Sequence, residues 1–287
     1  MRVVVPLLLV IGLLGACGES DSVPAPKGVR FQLEQTRQDL QGRKFSVQVV
    51  NGSREDLAVE HLELESGRLP KPATYDGPTT VFAGTAVNLT MTMPRARCGD
   101  GIDATVRITY SVGDGEVVTS TERPSDQFGS VERFMKRDCA EDAIGRIDID
   151  DRLDLRGQGE EATLGIGVTF TPPKSGSTAS GRSVHLVEVG GSTLLAPAGP
   201  DATTIDRDLE PGGEPVHANL TFVPNRCDVH VVAEDRTGGI LPLRVESKAF
   251  GTSPVYLRFT EPQKAQIFDY LAERCGFGTK QDPLNAP

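Results

Sequence analysis

The chain of 287 residues contains no tryptophan, four tyrosines and four histidines, and aromatic side chains make up only 5% of it. A recognition platform of stacked indoles is therefore excluded. Positive charge is the minority sign, with Lys plus Arg at 30 against 40 Asp plus Glu, a net charge of -10 and a pI near 5.0. A polyanion would be repelled, so no nucleic-acid partner is expected. Catalytic signatures are missing as well: there is no G-x-S-x-G, S-x-x-K or H-E-x-x-H, and no phosphate-cradling G-x-x-x-x-G-K-S loop. CxxC is absent, which removes thioredoxin-like redox chemistry, and the long cysteine spacings do not match a zinc ribbon. The expectation is a non-enzymatic protein without a cofactor.

The one long apolar run follows Met1-Arg2 as VVVPLLLVIGLLGA. A single positive charge before about fourteen apolar residues is the build of a secretory signal peptide, too short for a membrane span. The run closes in Leu14-Gly15-Ala16-Cys17, which resembles the lipobox of bacterial prolipoproteins. That resemblance implies removal of residues 1–16, a diacylglyceryl thioether on Cys17 and acylation, as by palmitate, of the new amino terminus. Two or three chains supply the multiple signals that stable anchoring requires, since each buried methylene contributes about 0.8 kcal/mol. Cleavage would remove Arg2 alone among the charged residues, leaving (30 − 1) − 40 = −11. The expected address is the outer face of the cytoplasmic membrane. An excess of 22 Arg over 8 Lys suggests a GC-rich genome and a lipoprotein of actinobacterial type. Residues 17–28, Cys17 followed by GESDSVPAPKG, lack periodicity and read as a flexible tether.

With Cys17 assigned, Cys98, Cys139, Cys227 and Cys275 remain, and their surroundings are related. VNLTMTMPRARC (87–98) and HANLTFVPNRC (217–227) share Asn-Leu-Thr, a proline and Arg-Cys. VERFMKRDCA (131–140) and FDYLAERCG (268–276) are both aromatic, amphipathic and basic before the cysteine. Two motifs in one order at nearly one offset make an internal repeat. The repeat, and not the spacing, pairs Cys98 with Cys139 and Cys227 with Cys275, and a secretory address favours oxidation.

Alternating segments predict strands at 29–35, 44–50, 57–65, 86–93, 104–112 and 116–122, then at 147–155, 162–170, 183–189, 215–223, 228–234 and 240–247. Gly113-Asp114-Gly115 reads as a tight hairpin, and a short helix carrying the second cysteine closes each set. The expected fold is all-β, two tandem immunoglobulin-like β-sandwiches over 29–145 and 146–278, with a C-terminal tail at 279–287. The boundary is placed near Gly145. PPKSGSTASG (172–181) reads as a long loop.

His61, His185, His217 and His230 all fall in expected strands, none at metal-ligand spacing from another. Met91 and Met93 share a strand face, which suits core packing better than a thioether copper site. Asp228, His230 and Glu234 are placed on one strand face as the densest titratable set of the second copy, a weak candidate for a cation or for acid and base chemistry. Asp148, Asp150, Asp151 and Asp154 form an acidic run that suits a solvated edge better than calcium. The leading expectation is a binding or scaffold module, held to the membrane by its lipid anchor and facing a protein or cell-wall partner. A ligand or metal carrier serving a transporter or envelope enzyme is the alternative.

Overall fold

The computed structural model describes residues 22–276 apart from 37, 41, 100–102, 177–181, 229, 231 and 233–239. Cys17 and the expected 279–287 tail lie outside the described residues, as does Glu234. Two buried clusters, each between two antiparallel sheets, organise the rest.

In the first half, β1 (Val29–Glu34), β2 (Lys44–Asn51) and β5 (Ala86–Thr92) form a three-stranded sheet in that order. β4 (Ala73–Val81), β3 (Leu57–Glu65), β6 (Thr105–Val112) and β7 (Val118–Glu122) form the facing one, again in that order. Strand alternation sends Phe31, Leu33, Phe45, Val47, Val49, Leu89 and Met91 inward from one sheet, and Leu57, Val59, Leu62, Leu64, Val106 and Ile108 from the other. Met91 and Met93 are therefore core residues, both 2% exposed.

The second half repeats this plan. β8 (Arg146–Ile149), β10 (Thr163–Thr171) and β14 (Val216–Pro224) correspond to β1, β2 and β5, with β9 (Asp154–Arg156) also on β10 and β12 (Leu195–Pro197) added beyond β14. β13 (Thr204–Leu209), β11 (Val184–Val189), β15 (Leu241–Ser247) and β16 (Gly251–Leu257) correspond to β4, β3, β6 and β7. The duplication seen in the cysteine motifs is thus a duplication of topology. Both copies are all-β immunoglobulin-like sandwiches, with β4 paired to β3 in the first and β13 to β11 in the second.

Four strands, β4, β12, β13 and β16, escape the sequence pattern, and all lie at sheet edges. In β4, Gly77 and Pro78 together oppose Glu60 of β3, a bulge where the register shifts between Val59 and His61. Proline is tolerated there because an edge strand leaves one row of N–H groups unpaired. β13 is mostly polar and carries Asp206 at φ 49, and β16 contains Pro254. The 147–155 strand is split into β8 and β9, while in the expected 228–234 strand the described His230 and Val232 are helical.

Each sandwich is closed by a helix, α1 (Ser130–Ile144) and α2 (Glu261–Cys275). α2 opens with Thr260, whose side chain accepts from Gln263 N while the Gln263 side chain accepts from Thr260 N, a reciprocal capping box. Helix α2 then seals the strand ends. Gln263 Nε2 donates to the carbonyls of Ile149 and Asp150, and Gln266 Nε2 to that of Asp151. Those bonds hold the acidic run at the break between β8 and β9.

Cys98–Cys139 and Cys227–Cys275 are both formed, with Cα atoms 5.3 and 5.2 Å apart. Each ties the segment after β5, or after its counterpart β14, to the closing helix. They enclose 41 and 48 residues of sequence separation, for which loop-closure entropy contributes about 4 kcal/mol each. Replacing Cys227 and Cys275 together by serine is expected to lower the unfolding free energy by about 2–5 kcal/mol, measured from urea titration of the oxidised protein.

Candidate functional site

Helix α1 is apolar on two opposed sides. Val131, Phe134 and Met135 recur at i, i+3 and i+4 and enter the first core. Ala140, Ala143 and Ile144 repeat that spacing half a turn around the axis and enter the second core. The small side chains on the second face let the helix approach β16 closely. Gly145 then ends the helix at φ 82, and a Cβ there would stand 2.6 Å from Thr171 O. The expected boundary residue is therefore a glycine that backbone geometry demands.

Between these faces lies Asp138, fully buried. Its carboxylate accepts from Arg43 Nη1 at 2.6 Å and Nη2 at 2.8 Å, and from Ala96 N at 2.8 Å. Arg43 also donates to the carbonyls of Met93 and Pro94, so one guanidinium gathers the ends of β2 and β5 beneath the helix. Its own φ of 53 shows that the backbone bends to deliver it. The hydrogen bond to Asp138 raises the Arg43 pKa above the usual arginine range against the effect of burial.

The adjacent Arg137 is 3% exposed and faces the second sandwich. Its guanidinium lies 5.1 Å from the Phe134 ring centroid and 5.7 Å from that of Tyr256, with Gln35 Oε1 at 3.3 Å. Desolvation lowers its pKa, and Glu141 opposes that effect electrostatically. Arg258, just past β16, donates to Leu40 O at 3.0 Å. The two sandwiches therefore meet through a cation–π contact, a backbone hydrogen bond and a shared helix.

Of the sequence-derived titratable set, Asp228 and His230 are described and Glu234 is not. Asp228 Oδ1 accepts from His230 N at 2.9 Å, and Val232 N reaches Asp228 O at 3.0 Å, so Asp228 caps a short turn. Among the described residues no three His, Cys, Asp or Glu side chains are placed to hold a metal ion. His61 in β3 lies 2.6 Å from Asp76 and 3.4 Å from Glu63. His185 in β11 lies 2.8 Å from Asp208 and 3.3 Å from Asp206. His217 Nδ1 is 2.9 Å from Thr169 Oγ1 across β10 and β14.

What sequence reasoning missed is a groove of about 750 Å³ at one end of the second sandwich. His185 is the direct cross-strand partner of both Asp208 and Glu246, and Arg182, Glu210 and Lys248 surround the row. It offers both signs of charge on a sheet face, chemistry that suits polar recognition. Pairing His185 with its neighbours needed the register of three strands, one of them the unrecognised edge strand β13.

No family model matches the chain, and no curated protein matches it. Among solved structures it is similar to the transglutaminase of red sea bream at 15% identity, covering 81% of this chain and 32% of that one, with a TM-score of 0.24. It is also similar to the YadV chaperone at 12% identity, covering 76% of this chain and 92% of that one, TM-score 0.18. For the Pseudomonas aeruginosa CupB2 chaperone the values are 13%, 76%, 93% and 0.19. The chain spans about a third of the length of the transglutaminase. The sheet topology carries the fold assignment, and no activity is transferred from these likenesses.

Two substitutions test the junction. Asp138→Ala leaves the Arg43 guanidinium and the Ala96 amide without their buried acceptor, a loss of about 3–5 kcal/mol and roughly 10 °C in Tm by calorimetry. Ala143→Glu buries a carboxylate between α1 and the second sandwich, so a single thermal transition is expected to split into two.

Proposed function

We propose that this chain is a membrane-anchored lipoprotein of the cell envelope, lipidated at Cys17, and that it acts as a non-catalytic binding or scaffold module outside the cytoplasmic membrane. The supporting observation is the junction: α1 belongs to both cores, so the two sandwiches move as one stiff body. A stiff, disulfide-stapled body suits a protein whose work is to hold a surface at a fixed place. The groove beside His185, with Asp208, Glu210, Glu246, Arg182 and Lys248, offers charges of both signs to a protein or cell-wall partner. The alternative is a ligand or metal carrier, with Asp228, His230 and Glu234 as its candidate groups; Asp228 Oδ1 accepts from His230 N.

The anchor is tested by Cys17→Ala. The expected result is transfer of the protein from the membrane to the soluble extracytoplasmic fraction and loss of labelled palmitate incorporation, with an unchanged circular dichroism spectrum. A Cys17→Ala chain that stays in the membrane overturns the anchor. For the binding role, crosslinking in the native membrane is expected to trap a partner, and charge reversal at Glu246 and Lys248 to weaken that adduct. A gene deletion whose envelope phenotype is insensitive to substitutions across both sandwiches overturns it.

A further inference from the structure

The chain enters the first sandwich earlier than its composition suggests. Val23 N donates to Thr119 O at 2.9 Å, and Ala25 N to Glu122 Oε1 at 2.9 Å, so the segment expected to be tether is laid against β7. It then turns through Gly28, at φ 96, whose carbonyl accepts from Gly52 N at 3.0 Å. A Cβ on Gly28 would stand 2.7 Å from Gly52 O. Only residues 18–22 separate Cys17 from the first fixed residue, a reach of at most roughly 20 Å.

The end of the sandwich at which the chain arrives is the one formed by the β2–β3, β4–β5 and β6–β7 turns. These turns are tied to one another. Asn51, fully buried, donates to the carbonyls of Glu55 and Val81 and accepts from Ser53 N. Asp56 accepts from Ala83 N at 2.8 Å, and Gly113 N donates to Asp56 O at 3.0 Å. The frame is rigid, yet its tips are apolar. Phe82 at the β4–β5 turn is 59% exposed and Val117 beside the β6–β7 turn is 51% exposed. With Val23 they account for three of the five large apolar side chains exposed among the described residues.

We infer that this pole is the membrane-contacting surface of the protein, with Phe82 and Val117 seated in the headgroup and upper acyl region of the bilayer that holds the Cys17 lipid. The inference rests on the lipoprotein reading above. Three observations converge on a lipid surface as the occupant: the short connection to Cys17, the pole at which it enters, and two aromatic or aliphatic tips on a preorganised base. Interfacial burial of this kind reaches about 5–10 Å into the boundary. The surrounding charges are Lys27, Arg54, Glu55, Asp56, Asp114 and Glu116, an excess of acid. That excess opposes adsorption of the unacylated protein to anionic lipid and makes the contact dependent on the anchor.

The absence of tryptophan supplies a clean test. Full-length acylated protein carrying Phe82→Trp, Val117→Trp or Phe128→Trp is reconstituted into phosphatidylcholine vesicles with and without brominated acyl chains. Phe128 is 61% exposed and lies at the opposite pole, just before α1. Trp at 82 and 117 is expected to shift to the blue and to lose about half its emission to the brominated chains, as interfacial depth dictates, while Trp at 128 is unaffected. Hydrogen exchange of the unsubstituted protein, expected to slow at 82–85 and 113–117 relative to soluble Cys17→Ala, gives the same readout without a tryptophan. Protein that floats with the vesicles but shows neither quenching nor protection at this pole overturns the inference and leaves the anchor standing. Protein that fails to float overturns the anchor, and this orientation with it.

Discussion

Helix α1 has to satisfy two hydrophobic cores with fifteen residues, and most of the architecture follows from how it does so. Its first half offers Val131, Phe134 and Met135 to one sandwich, and its second half offers Ala140, Ala143 and Ile144 to the other. An ordinary surface helix has one apolar stripe and a solvated back; this one has no free back over much of its length. Strand β8 begins at Arg146, directly after Gly145, so no linker intervenes at which the halves could hinge. Arg137 against Tyr256 and Arg258 against Leu40 O then fix rotation about the helix.

The two copies meet one packing problem with opposite charges. A sandwich left open at one end exposes backbone groups where strands finish, and the closing helix must supply their partners. In the first copy Asp138, one residue before Cys139, draws in Arg43, which reaches the carbonyls beyond β5. In the second copy Arg274, one residue before Cys275, donates directly to Ala162 O at 3.1 Å, as does Tyr270 Oη at 3.1 Å. Burial raises the Tyr270 pKa, which keeps the phenol a donor. The disulfide fixes the helix at the same point in both copies, so either polarity can serve. Only the first copy needs a buried ion pair, whose loss costs far more than its presence contributes.

Central strands were legible because both faces of the pattern were present. β2, β3, β6, β10 and β15 alternate cleanly, and cysteine motifs alone revealed the duplication. Four edge strands were not: β4, β12, β13 and β16 each pair with one neighbour and carry Gly, Pro or Asp, residues that usually signal turns. At 228–234 the alternation fitted a strand, but the described His230 and Val232 are helical and Asp228 Oδ1 accepts from His230 N, competing for the backbone. Asp138 was invisible in sequence for a third reason. An Asp in a basic, amphipathic run reads as surface charge, and only the tertiary approach of Arg43, 95 residues away, makes burial tolerable.

The same limit explains why composition pointed to a tether where the fold places a strap. Ser22 to Lys27 is polar and proline-rich, which argues correctly that it cannot form regular structure by itself. It says nothing about whether a neighbouring sheet edge will hold it, and β7 would otherwise expose its outer row of backbone groups. Covering that edge with Val23 and Ala25 protects the sheet from pairing with another chain. With α1 locking the second sandwich to the far pole of the first, the placement of the His185 groove relative to the N-terminal strap becomes a property of the fold and not of a linker.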